Sequence, residues 1–465
     1  MTTCLTSTTR ATLVAALLSG LCLVPFSAGA QDATTPHYDT GMIPGDHILL
    51  PENPPVANVV LISDGDGWNA AEQAEAEALI ANDVAVIGID FPEYLKALRA
   101  DDGDCVYMIS DVESLVHQVQ RVGKAEKLTP PIVAGIGEGG ALALAMIAQS
   151  PEATIGEAIA VDPLAGIPLA KQLCTPAEKT SVGDRMLYGL TDGALPAPVT
   201  VLFTAKASAE GKAHVASIVK DHPDVVTRDS DDDAMTTLGQ ALDDSINAEN
   251  ETQDPLGLPL SILETKPTMD TMAVIYSGDG GWRDLDREVG GALQDRGIPV
   301  VGVDSLRYFW SERKPQETAD DLTRIIDTYR KHWHVKNVLL IGYSFGADVL
   351  PATYNLLPAD DRDHVVLLSL LALSKEVDYV ISVEGWLGVA GDGKAGNSLD
   401  DIAKIKPSLI QCIYGTEEDD DPCPSLKDKG IETLGIEGGH HFDEDYEALA
   451  DKIVAALKAR LTAAK

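Results

Sequence analysis

Gly342-Tyr343-Ser344-Phe345-Gly346 follows the apolar run 338–341 and precedes a helical stretch, 346–355. A strand, a glycine-flanked serine and a helix form the turn that lifts a hydroxyl clear of a parallel sheet. The first half of the chain carries a blank copy, Gly135-Ile136-Gly137-Glu138-Gly139, behind its own strand at 132–134. One copy holds a hydroxyl at its centre and the other a bare glycine.

The likeness extends outward from both motifs. Residues 58–62 and 272–276 are apolar strand runs, each ending in a Gly/Asp loop and a tryptophan, Ser63-Asp64-Gly65-Asp66-Gly67-Trp68 and Ser277-Gly278-Asp279-Gly280-Gly281-Trp282. Helical stretches follow at 70–81 and 284–294, then second strands at 84–90 and 298–304, then longer helical segments at 112–121 and 315–332. Strands alternating with helices predict a parallel sheet in each half. A period of roughly 200 residues indicates two homologous domains rather than a solenoid. The polar stretch 247–254, followed by Pro255, Pro259 and Pro267, marks the join.

A serine becomes nucleophilic when a base takes its proton, and a carboxylate fixes that base's tautomer. In an α/β-hydrolase the three arrive in the order serine, acid, histidine, each at the carboxyl end of a strand. After Ser344 the strand 408–414 ends in Gly415-Thr416-Glu417-Glu418-Asp419-Asp420-Asp421, and the apolar piece 433–436 leads to Gly438-Gly439-His440-His441-Phe442. His441 is the first choice of base, with His440 the alternative. Asp419 is preferred as the acid by residue type, and Glu418 by its offset of three from the glycine. The amides of Phe345 and of Asp279 or Gly280 are the expected oxyanion donors; a structural turn around a packed Trp282 is the competing reading of that loop. Asp348, four residues after Ser344, is a candidate for holding a cationic substrate group, against a plainer role at the helix N-terminus. Tyr308 and Trp310, after the strand ending near Asp304, are candidates for lining the substrate pocket, against ordinary core packing. With Gly137 at the nucleophile position and Asp231 and Asp232 near the histidine position, the first half cannot run this chemistry.

The chain has 465 residues and 45% hydrophobic content, enough for a core in each half. Arg10, the apolar stretch 11–26 and Ser27-Ala28-Gly29-Ala30 read as a cleaved signal peptide, with the mature protein beginning at Gln31. That predicts export to an oxidising compartment, and the apolar stretch is short of the roughly 20 residues that span a bilayer. The expected organisation is a signal peptide over 1–30, a degenerate α/β-hydrolase-like domain over 31–250, a linker over 251–267 and a catalytic domain over 268–465. In an oxidising compartment the four remaining cysteines suggest the pairs Cys105–Cys174 and Cys412–Cys423. No cysteine or histidine spacing suggests a metal site. The formal charge of −38 becomes −39 once Arg10 leaves with the leader. Such a field repels nucleic acid and anionic surfaces and favours cationic ligands, although solvation in a salty habitat explains it equally well.

Gly342-Tyr343-Ser344-Phe345-Gly346-Ala347-Asp348-Val349-Leu350-Pro351, with the Ser277–Trp282 loop, Tyr308-Phe309-Trp310 and His440-His441-Phe442, resembles the bacterial VirJ/AcvB virulence-protein family over roughly residues 268–463. The leader and worn first half resemble its longer, AcvB-like members. The resemblance implies a periplasmic α/β-hydrolase, needing no cofactor, that removes the aminoacyl group from lysyl-phosphatidylglycerol at the membrane surface. It also implies a link to virulence and type IV secretion, with secretion-system proteins as partners. Two other readings compete: a general periplasmic esterase, and a binding module or chaperone for exported substrates.

Overall fold

β-branched and leucine-rich runs buried on both faces build the strands, as a parallel sheet between helical layers requires. The computed structural model describes residues 37–251, 256–381 and 395–463; the expected leader and part of the expected linker lie outside them. The first half contributes β1 (His47–Leu49), β2 (Ala57–Ile62), β3 (Val84–Ile89), β4 (Ile132–Ile136), β5 (Glu157–Val161), β6 (Lys179–Val182), β7 (Arg185–Tyr188), β8 (Val199–Phe203) and β9 (Val226–Asp229). The second contributes β10 (Leu260–Leu263), β11 (Thr271–Tyr276), β12 (Val300–Val303), β13 (Asn337–Tyr343), β14 (Val365–Leu371), β15 (Glu376–Val377), β16 (Gly396–Asn397), β17 (Ile410–Gly415) and β18 (Glu432–Ile436).

The two large sheets have the same strand order, β1-β3-β2-β4-β5-β8-β9 and β10-β12-β11-β13-β14-β17-β18. In each, the first strand pairs antiparallel with the third and the rest of the ladder is parallel. A small two-stranded ribbon, β6–β7 or β15–β16, is inserted before the sixth strand of each sheet. This is the α/β-hydrolase arrangement twice over. The segment 251–267 contains β10, which lies along the edge of the second sheet.

Helix Ala70–Ala81 and helix Asp284–Asp295 take equivalent places after the two Gly/Asp loops. The tryptophans that open them pack over a glycine of the neighbouring strand: a Cβ at Gly88 would meet the Trp68 ring at 2.5 Å, and one at Gly302 the Trp282 ring at 2.3 Å. Both glycines are therefore required by the close approach of a ring. The described residues from Tyr38 onward form one compact unit. Among the described residues, no helix is long and apolar enough to cross a membrane.

Candidate active site

Ser344 stands between β13 and the helix Phe345–Leu356 with φ +50° and ψ −119°. That backbone conformation is costly for any residue with a Cβ, and here neighbours on every side hold it. Its N–H donates to the Leu371 carbonyl at 2.9 Å. A Cβ at Gly346 would fall 2.2 Å from the Tyr276 carbonyl oxygen, so the turn closes only with glycine there.

His440 meets the serine. Its Nε2 lies 2.8 Å from Ser344 Oγ, and its Nδ1 lies 2.7 Å from Glu418 Oε1. The acid and histidine loops are held together by backbone bonds from Thr416 N–H to the Ile436 carbonyl and from Glu417 N–H to the Gly438 carbonyl. Glu418 is thereby turned inward and half-buried, whereas Asp419 points to solvent. The structure thus departs from both first choices. His441 lies against Tyr343, whose hydroxyl is 3.2 Å from its Nδ1, and does not reach the serine. The offset of three from the strand-ending glycine, and not the preference for aspartate, locates the acid beside the histidine.

Phe345 is the first residue of its helix, so its amide is among those without an intrahelical acceptor. The loop after β11 lies against the elbow: a Cβ built at Gly278 would be 3.6 Å from Ser344 Cβ. Gly281 N–H closes a turn on the Gly278 carbonyl at 3.1 Å, leaving Asp279 and Gly280 at its tip. Gly278 N–H is taken by the buried carboxyl of Asp286, whose own pKa is pushed well above the ordinary range, first by burial. Sequence reasoning did not single out Asp286.

The first half supplies an internal comparison. Gly137 has nearly the same backbone as Ser344, φ +56° and ψ −111°, and donates to the equivalent carbonyl, Val161, at 3.0 Å. A Cβ at Gly137 would lie 2.2 Å from Asp64 Oδ1. That oxygen accepts from Gly65 N–H at 2.7 Å and Glu138 N–H at 2.9 Å. By position in the two loops, Gly65 corresponds to Asp279 and Glu138 to Phe345. Two amides converging on one oxygen are thus built into this fold, and in the first half a carboxylate fills the place between them.

Carboxyls gather around Ser344. Asp348 is half-buried, and its Oδ1 accepts from Ser374 N–H at 2.7 Å. Burial, reinforced by the charges of Asp421, Asp279 and Asp378, pushes its pKa well above the ordinary carboxylate range. Asp421 is pushed up to about 6, first by burial and then by Glu418, while the Cys423 N–H and His440 pull the other way. Its Oδ2 is buried. Asp421 closes the acidic run, and the Cys423 N–H, donating to its Oδ1 at 2.7 Å, draws it inward.

Tyr308 and Trp310 do not line the site. Both are buried: the Tyr308 hydroxyl donates to Asp321 Oδ2 at 2.7 Å and Trp310 Nε1 to the Ala125 carbonyl at 3.1 Å. Core packing takes them because each ring finds its polar partner away from the serine. The residue between them, Phe309, reaches Phe345 with ring centroids 5.0 Å apart. The disulfides Cys105–Cys174 and Cys412–Cys423 are formed.

Among solved structures the chain is similar to Est1E from Butyrivibrio proteoclasticus, at 14% identity over 44% of this chain and 93% of that one, with a TM-score of 0.31. It is also similar to an esterase, EaEST, from Exiguobacterium antarcticum (13% identity, 43% and 95% covered, TM-score 0.32) and to MenH from S. aureus (15%, 43% and 98%, 0.33). No curated protein matches the chain. The fold assignment rests on strand order and on the elbow. Residues 270–461, in the second half of the chain, match the model of the family described as bacterial virulence protein (VirJ).

Proposed function

We propose that the chain is a periplasmic serine hydrolase that cleaves the aminoacyl ester of lysyl-phosphatidylglycerol to phosphatidylglycerol and lysine, using residues 268–465 as the catalytic domain and 31–250 as a non-catalytic one. The observation that carries the chemistry is the continuous line Ser344 Oγ, His440, Glu418, with contacts of 2.8 and 2.7 Å. Ser344 attacks the lysyl carbonyl while His440 takes its proton, and Glu418 holds the imidazolium. The amides of Phe345 and Asp279 receive the oxyanion; the paired amides around Asp64 favour Asp279 over Gly280 as the second donor. His440 returns the proton to the glycerol oxygen as phosphatidylglycerol leaves. Water, deprotonated by the same histidine, then releases lysine from Ser344.

The substrate class is supported by the VirJ match and by the carboxyls of Asp348 and Asp421 near the serine, which suit an acyl group bearing ammonium groups. The test is lysine release from lysyl-phosphatidylglycerol in mixed micelles by residues 31–465, beside Ser344→Ala and a short-chain ester. Release that disappears in the variant is the expected result. Cleavage of the simple ester alone would leave a general esterase, and no cleavage of either would leave a binding module.

A further inference from the structure

The first half has a glycine in place of the hydroxyl and a cavity beside that turn: Leu164, in the cavity lining, donates its N–H to the Gly137 carbonyl at 3.1 Å. About 1130 Å³ in volume, it opens beyond the carboxyl ends of the first sheet, between the segment after β5, the β6–β7 ribbon and the helix Ala209–Asp221. This exceeds the range of roughly 300–1,000 Å³ usual for small-molecule sites. Its wall is apolar: Leu164, Leu187, Tyr188, Leu190 and Ile218 contribute, and Val182 at the ribbon tip leaves 55% of its surface in solvent. Binding sites in open α/β sheets lie outside the carboxyl ends of the strands, so the cavity occupies a position the fold uses for ligands.

Charge narrows the occupant. Glu178, Asp192, Glu210 and Asp221 stand around the cavity and are all exposed. The guanidinium that faces them, Arg185, is already committed: it holds Glu138 through two bonds of 2.8 and 2.7 Å and also donates to the carbonyls of Ala165 and Gly166. His214, also in the lining, has its pKa lowered by burial and so carries no charge at neutral pH. A carboxylate or phosphate head would meet four uncompensated negative charges, while an ammonium head would be attracted. An alkyl chain would cover the wall, including the exposed face of Val182.

We infer that the first half is a binding domain for an amphiphile with an apolar chain and a cationic head, held in the cavity between the β6–β7 ribbon and helix Ala209–Asp221. The site makes no use of Ser344 and stands whether or not the hydrolase reading does. Calorimetric titration of the full chain carrying Ser344→Ala, with dodecylammonium and with dodecanoate below their micelle thresholds, tests it. The expected result is saturable binding of the ammonium, at least about tenfold tighter than the carboxylate. Ala213→Trp and Ser217→Trp, exposed positions that line the cavity, fill it without disturbing the core and should each weaken that binding by about tenfold or more. Val182→Trp on the ribbon provides a third block independent of the helix, and a thermal melt checks each variant for folding. Glu178→Gln with Glu210→Gln should reduce the preference for ammonium, Asp192 and Asp221 remaining, while leaving chain binding in place. The inference fails if neither probe binds, if both bind equally to the unaltered cavity, or if folded blocking variants bind as before.

Discussion

His440 and His441 are neighbours in sequence with different surroundings, and kinetics should separate them. With a short-chain ester, His440→Ala is expected to lower kcat by roughly four orders of magnitude, and His441→Ala by no more than about tenfold. Glu418→Gln should fall by at least about a hundredfold while Asp419→Asn stays near the parent. The reverse ranking would restore Asp419 and His441, the first choices from the sequence. Asp421 makes a separate prediction. Its native pKa of about 6 lies above the ordinary value of about 3.9, so the folded state binds the extra proton and stability falls as pH rises from about 4 through about 6. Asp421→Asn removes that loss. The melting temperature of the variant minus that of the parent should climb across this window and then level off, and a difference that stays flat with pH would show that the carboxyl does not titrate there. Ser344 was legible because its glycines and flanking elements are local; the choice between adjacent histidines was not, because it depends on which way a loop turns after β18.

At the scale of elements, the strand-turn-helix unit around Ser344 and the alternation of strands with helices could be read from apolar runs and glycines alone. The helix Phe91–Ala100 was not singled out, although Asp90 caps it, Pro92 stands in its first turn and its buried residues 91, 94, 95 and 98 keep helical spacing. Tyr308 and Trp310 were offered a pocket role by chain position, but Tyr308 is held by Asp321 on the next helix and Trp310 by Ala125 of the first half, 185 residues away. The acid loop is tied at its far end: Cys412 in β17 and Cys423 bracket Glu418 and Asp421 across a sequence separation of 11. Closing so short a loop stabilises by about 2–3 kcal/mol. Cys412→Ala with Cys423→Ala is expected to lower the melting temperature and also kcat, since both carboxyls lose their tether. A variant that melts earlier but turns over at the parent's rate would show that the tether serves stability alone.

Across the whole molecule the worn half grips the armed one at its working loops. Arg121 donates to the carbonyls of Trp310 and Ile381, both at 2.5 Å, and lies over the Trp310 ring with its guanidinium carbon 3.4 Å from the centroid. Glu113 takes both ends of Arg283, two residues beyond the glycine turn that carries Asp279 and Gly280. Phe309 then passes the contact to Phe345. Arg121→Ala should therefore lower kcat on a short-chain ester several-fold with little change in KM, whereas a purely cohesive contact would move only the melting temperature. None of the contacts between the two halves could be read from the sequence, because each joins residues more than 150 positions apart.

The carboxylate of Asp64, seated between two amides, bears on how the armed half responds to its own reaction. In the proposed reaction lysine leaves the enzyme as a carboxylate, the same group that the first half holds between its two amides. Accumulating lysine should compete with fresh ester for the Phe345 and Asp279 amides, raising apparent KM and leaving kcat untouched, while lysinamide, which lacks the anion, should inhibit far less. Hydrolysis would then slow as free amino acid builds up around the protein, a brake that needs no regulator beyond the product.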